Sequence, residues 1–352
     1  MTLSIQHHAL LLACTATTGE FEKALRKWED LQDISEIDFA TMRLIPYLYK
    51  KALSLNVDMA NEGICRGLYL RAWYLLKTVG SPSLVWVRDN ELFDSAVVLK
   101  GAAFQSTIYA VDPPTRPADD LDLLIPSELV DRTFDALQLA GMSMDHGLSR
   151  ETIRNLRNGT NFFGANMAID IHWNLLPVSL DASFTSRILD RSIRLKGGLR
   201  TLCSTDHLLH TLVHGFGRNE IAPIRWVLDA ALLIRSGDID WALFWQEVSL
   251  TGWYRVVKKQ LRLLSEFGVL VQEPAGQRFR WHWFLLISEW MLLARGLWVR
   301  RILRVFGYDY ASWAQNSSRN LSIASYWLNW QGWMDRVLQE WNEYKAFRTN
   351  RG

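Results

Sequence analysis

The stretch RPADDLDLLIP, residues 116–126, constrains the fold more than any other segment of this chain. Leu121, Leu123 and Ile125 recur with a period of two, the spacing of a β-strand with one buried face. Asp120 and Asp122 then share the opposite face, and Asp119 stands outside the pair. Two carboxylates side by side on a strand repel each other unless something positive lies between them. The segment reads either as an exposed acidic strand end or as a strand that offers carboxylates to a cation.

The surrounding chain narrows the choice. Residues 1–85 carry helix-spaced apolar residues, as in FEKALRKWEDL and TMRLIPYLYKKAL, and read as an N-terminal helical region. Residues 86–180 are mixed and read as a small α/β core. There SAVVLK (95–100) predicts a strand, GAAFQSTIYA a helix, and VDPPTRP a turn. DLDLLI is the next strand. PSELVDRTFDALQLAG is a helix capped by Ser127, with Leu129, Phe134 and Leu137 on one face and Gly141 at its end. TNFFGA (160–165) and MAIDIHWNL (167–175) follow as strands, the second alternating Asp170, His172 and Asn174 with Ile169, Ile171 and Trp173. Residues 181–352 read as a C-terminal Trp-rich helical region, since 13 of the 17 tryptophans fall at or after Trp226. The predicted fold class is α+β, a small mixed-sheet core flanked by helical regions.

Composition excludes several partners. Lys plus Arg number 39 against 37 Asp plus Glu, a formal net charge of +2, so bulk charge argues for no nucleic acid. Cys14, Cys65 and Cys203 lie far apart, which fits a reducing compartment rather than a disulfide framework. Near the start, LLAC faintly resembles a lipoprotein cleavage site. However, no Lys or Arg precedes Lys23, and the apolar stretch is shorter than the ~7–15 residues of a signal. No run reaches ~18 apolar residues without a charge, so no transmembrane helix is expected and the chain reads as cytoplasmic.

Strand, Gly turn, helix, D-x-D strand and a later strand with one more Asp form an order suited to in-line displacement at phosphorus. Magnesium neutralises charge in such a reaction and takes hard oxygen ligands, usually one or two carboxylates plus substrate phosphates. Asp120, Asp122 and Asp170 are the expected metal ligands and catalytic carboxylates, with Mn²⁺ as the alternative ion. Asp170 is also the candidate base toward an acceptor hydroxyl. Gly101, opening the helix with Ala102, suits triphosphate oxygens. Lys100 and Arg116 can add charge-assisted contacts to phosphate. The bland alternatives are a solvated lysine for Lys100 and an ion pair with Asp119 or Asp120 for Arg116.

These residues resemble a family. VVLKGAAFQSTIYAVDPPTRPADDLDLLIP is similar to the Lys-Gly, Arg-Pro and Asp-Leu-Asp-Leu-Leu signature of the uncharacterised bacterial nucleotidyltransferase family, within the polymerase-β-like superfamily. AIDIHWNLLP resembles its third-carboxylate strand, and LLHTLVHGFGRNEIAPIRWVLDAALLIRSGDIDW its C-terminal helical segment. The resemblance covers roughly residues 35–250. It implies Asp120 and Asp122 as metal ligands and Asp170 as the third carboxylate. Two features depart from the wider superfamily: Ala102 stands where Gly or Ser is usual, and Gly101 lies 19 positions before Asp120.

Weaker signals remain. His207, His210 and His214 fall at i, i+3 and i+7 on one helix face, a spacing for zinc or for packing. His214 is the candidate for the substrate cleft. Arg225 and Asp229 are i, i+4 neighbours, read either as an intrahelical ion pair or as substrate contacts. His172 shares a strand face with Asp170 and reads as a supporting or acceptor contact. The segment 295–306, RGLWVRRILRVF, reads as a solvated basic helix or, less simply, as a peripheral membrane contact. D-x-D here lacks the Gly and distal Glu of a calcium loop, which excludes an EF-hand.

The expected function is Mg²⁺-dependent transfer of a nucleoside monophosphate from an NTP to a small-molecule, sugar, peptide or protein acceptor. The alternatives are a degenerate binding or regulatory protein on the same fold, and transfer of a different phosphoryl group. Three retained carboxylates favour catalysis, whereas the missing hydroxyl at Ala102 favours the degenerate reading.

Overall fold

The computed structural model describes residues 3–272, apart from 145–149, 157, 165–166, 177–178, 180, 182 and 217–223. Six helices lead the chain: α1 (Ile5–Thr15), α2 (Phe21–Leu31), α3 (Phe39–Met42), α4 (Ile45–Ser54), α5 (Glu62–Leu75) and α6 (Ser81–Arg88). The apolar spacing seen in the sequence is what folds them. In α2, Phe21, Leu25 and Trp28 are buried along one face, and in α4 so are Ile45, Leu48, Tyr49 and Ala52. Ser4 and Asp38 cap α1 and α3 by accepting from the amides of His7 and Thr41, at 3.1 and 2.7 Å. The Lys51 ammonium closes the other end of α1, donating to the carbonyls of Ala13, Cys14 and Ala16.

The strands follow as β1 (Val97–Val98), β2 (Leu121–Leu124), β3 (Ser143–Met144), β4 (Gly159–Gly164), β5 (Met167–His172), β6 (Ile193–Arg194) and β7 (Arg200–Thr201). They form one seven-stranded mixed sheet in the order β3-β4-β5-β2-β1-β7-β6, the α+β arrangement expected. β2 runs parallel to β5, and β1 runs antiparallel to β2 but parallel to β7. Helices α7 (Lys100–Gln105), α8 (Val130–Leu139), α9 (Arg150–Leu156) and α10 (Phe184–Asp190) connect the strands. The described chain continues with α11 (Ser204–Gly215), α12 (Arg225–Arg235), α13 (Trp241–Thr251) and α14 (Tyr254–Ser265). No helix among the described residues is long and apolar enough to cross a membrane.

Some elements are shorter than the pattern suggests. The helix expected over 101–110 stops at Gln105, where Ser106 and Thr107 turn their hydroxyls onto the carbonyls of Ala102 and Ala103. Ser127 falls in a short 3-10 turn ahead of α8 and makes no capping bond, while Gly141, at φ +80°, ends that helix as expected. β6 and β7 come after residue 180, the limit expected for the α/β unit, and still join its sheet.

The sheet has two apolar faces. Leu121, Leu123, Ile169 and Ile171 pack with Val130, Phe134 and Leu137 of α8. Phe134 meets the rings of Phe162 and Trp173 edge-on. On the other face, Val97, Leu99 and Leu124 join a core shared by α1, α2 and α4 with α11–α14. Helices from both ends of the described chain thus form one body over the sheet face that carries Asp122 and Asp170. Buried Trp226, Trp245 and Trp253 belong to this core. The tryptophans after residue 272 and the 295–306 segment lie outside the described residues.

Candidate functional site

Register builds the site. Asp122 on β2 pairs with Asp170 on β5, so a period of two brings both carboxylates to one face, with His172 two residues beyond Asp170. The imidazole bridges them: His172 Nε2 lies 3.1 Å from Asp122 Oδ1 and 2.9 Å from Asp170 Oδ2. Lys100 adds a second positive charge, with Nζ 2.5 Å from Asp122 Oδ1 and 3.9 Å from Asp170 Oδ2. Its backbone, at φ +45°, occupies the left-handed region that a side-chain-bearing residue seldom adopts. The turn from β1 into α7 holds that strain where it delivers the ammonium to the carboxylates.

Electrostatics follow from these contacts. Burial alone would raise the Asp122 carboxyl, but Lys100 and the His172 hydrogen bond hold it well below the usual carboxylate range. Burial opposes the His172 charge too. Asp170 and Asp122 overcome it and lift the imidazole to about 9, so His172 is an imidazolium at neutral pH. Gly159 on β4 gives the ring its room: a Cβ there would lie 2.8 Å from His172 Nδ1 and 2.7 Å from the Ile171 carbonyl.

Asp122, Asp170 and His172 each offer one ligand atom, all within 4.8 Å of one another. Asp120, expected to share the metal with Asp122, precedes β2, lies exposed and stands outside this group, though it borders the same cleft. His172, read from the sequence as a supporting contact, belongs to the group instead. The clue was its place two residues after Asp170.

The cleft has a volume of about 530 Å³ and is lined by residues from three parts of the chain. Phe39, Ala40 and Arg43 come from α3 and the residue after it. Lys100, Gly101, Asp120, Asp122 and Asp170 come from the sheet and its turns, and His210, His214, Arg225 and Asp229 from α11 and α12. The expected cleft candidates His214, Arg225 and Asp229 therefore gather with the carboxylates. Arg43 carried no signal in the sequence, where it reads as one polar residue of a helical stretch.

Other candidates have different neighbours from those anticipated. Arg116 pairs with Asp229 rather than Asp119 or Asp120: Nε and Nη2 each donate at 2.8 Å. Tyr109 donates to the same carboxylate at 2.8 Å, and all three side chains are buried. Asp229 is thereby taken from Arg225, whose Nη1 donates to the Pro117 carbonyl. Gly101 is demanded by Ala118, since a Cβ would meet the Ala118 Cβ at 2.5 Å. Ala102 is buried in the core between sheet and α8. His207 lies buried in α11. It bonds Thr201 at 3.0 Å, and burial pushes its pKa down to about 3.

A mixed sheet thus sets two in-register carboxylates at the floor of a cleft, beside a lysine and an imidazole, an α+β core consistent with a nucleotidyltransferase. A family model described as Uncharacterised nucleotidyltransferase matches residues 93–268, half of the chain, and the chain belongs to that family. No curated protein and no solved structure matches it.

Proposed function

We propose that the protein is a divalent-metal-dependent nucleotidyltransferase that moves a nucleoside monophosphate from an NTP to an acceptor hydroxyl. The observation that carries this reading is the in-register pair Asp122–Asp170 at the floor of a cleft that arginines also line. The donor set fits one ion once His172 gives up its proton: metal bonds of about 2.1 Å put ligand atoms about 3–4 Å apart, the scale of this group. Carboxylate oxygens suit Mg²⁺ or Mn²⁺, and Asp120 is the further oxygen ligand at the cleft edge. A bound ion there would neutralise and orient the transferring phosphate.

The chain's own residues do the rest. Asp122, kept ionised by its neighbours, stays a ligand across the physiological range. Asp170 is more exposed than Asp122 and takes the acceptor's proton. The Lys100 ammonium, released from Asp122 when an ion takes its place, meets a phosphate oxygen. The side chains of α11, α12 and Arg43 that line the cleft remain to hold other parts of the two substrates.

A specific observation favours a second reading, that of a nucleotide-binding regulatory protein. Lys100 and protonated His172 already neutralise the two carboxylates, so the arrangement is electrostatically satisfied without an ion. Calorimetry with NTP, with and without Mg²⁺ or Mn²⁺, separates the two. The proposed enzyme binds NTP at least about tenfold more tightly with the ion, and Asp122→Asn loses that gain. Equal affinity with and without the ion in the unaltered protein leaves the second reading.

A further inference from the structure

Two arginines in the cleft are less fully partnered than buried or enclosed cations ordinarily are. Among the described residues no carboxylate lies within ion-pair distance of Arg225. Its one hydrogen bond, from Nη1 to the Pro117 carbonyl, leaves the outer guanidinium edge to the cleft. Asp229, one turn away, is occupied by Arg116 and Tyr109. Arg43 pairs with Asp119 at 2.9 Å through Nη2, but its Nε is buried without any partner. Arg43 also lies over the Phe39 ring, 5.1 Å from the centroid, which fixes the guanidinium plane.

Both cations feel the other positive charges of the cleft. Burial, then the like charges of Arg116 and Arg43, draws the Arg225 pKa well below its ordinary value. Burial and Arg116 draw Arg43 down as well, against Asp119. Like charges held together in an enclosed space are tolerated where an anion completes them, and guanidinium forks match phosphate and carboxylate oxygens.

We propose that Arg43 and Arg225 form an anion subsite of this cleft, one that binds a phosphate or carboxylate group of a substrate. It joins a residue of the N-terminal helices, outside the stretch matched to the family, with one of α12. The inference rests on the cleft being a substrate site, as argued above, but not on its metal. It also narrows the substrate: either the NTP phosphates lie here, or the acceptor itself is anionic.

The test is calorimetry in EDTA with inorganic tripolyphosphate and with inorganic phosphate, on the full chain, which removes any metal-mediated contribution. The unaltered protein binds tripolyphosphate, and Arg225→Gln and Arg43→Gln each weaken it by about tenfold, the loss of one charge-assisted contact. Arg225→Lys recovers part of that loss, which guards against a merely unfolded variant, and thermal melts of all four proteins are recorded alongside. Because these titrations are made in EDTA and the NTP titrations compare binding with and without the ion, loss of the subsite and loss of the metal-dependent reading are seen in separate experiments, so the two readings fail separately. Competition assigns the source. If ATP displaces inorganic phosphate, the subsite holds the NTP phosphates. If both bind together, it holds an anionic acceptor. Tripolyphosphate affinity equal in all folded variants, or no binding to the unaltered protein, overturns the subsite.

Discussion

At the scale of single residues, three positions around the paired carboxylates each yield an outcome. Lys100 neutralises Asp122 at 2.5 Å, so Lys100→Met leaves a buried carboxylate beside a second one. The expected loss is about 3 kcal/mol of stability in denaturant melts, the penalty of breaking a buried pair. Mn²⁺ restores more stability to this variant than to the unaltered protein, where the ion must first displace the ammonium. Equal stability of the two proteins without metal would contradict the pairing. His172 gives the pH dependence. Its folded pKa is raised to about 9 from an ordinary 6.5, so its charge adds stability that is full below pH 6.5. That contribution is lost as pH rises through 9, because the unfolded chain has already released the proton. Urea melts at pH 6.5 and 9 therefore show a fall in the unaltered protein that His172→Gln lacks. Gly159→Ala, whose methyl would strike the ring, displaces His172 and weakens Mn²⁺ binding in a calorimetric titration.

At the scale of elements, Arg116, Asp229 and Tyr109 tie the loop ahead of β2 to α12, and so set where the D-x-D strand begins. Arg116→Met strands a buried carboxylate and is expected to cost about 3–5 kcal/mol, while Tyr109→Phe, losing one hydrogen bond, costs about 1 kcal/mol. Paired urea melts check this. A variant Arg116→Met that melts normally but loses NTP affinity would return the residue to the phosphate contact the sequence suggested. Much at this scale was legible beforehand. Alternation marked β2 and β5, and Gly141 ended α8, because both signals are local. β6 and β7 were not anticipated, since two-residue strands carry no period. The partner of Asp229 was not legible either. Spacing offers Arg225 at i, i+4, but a residue 113 positions away wins because the loop folds it into the α12 face.

At the scale of the whole molecule, the helices of the two ends fuse into one core over the site-bearing face. The sequence separates them by texture and offers no long-range cue that they touch. That is why Arg43 was invisible as a cleft residue while Asp122 and Asp170, side by side in one sheet, were plain. Asp120 borders the same cleft as Asp122, but strand pairing starts only at Leu121, so Asp120 stands at the strand's edge. The cleft joins a family-matched floor to an N-terminal rim at Phe39, Ala40 and Arg43.

The central claim is that Asp122 and Asp170 act together in moving a nucleotidyl group. It is tested most directly by incubating the protein with NTP labelled at either the α or the γ phosphate, Mg²⁺ or Mn²⁺, and a pool of metabolites and proteins. The account predicts that α label enters an acceptor only when the ion is present, and that Asp122→Asn and Asp170→Asn each abolish the transfer. Transfer of the γ label instead, or α transfer that survives Asp122→Asn, would contradict it.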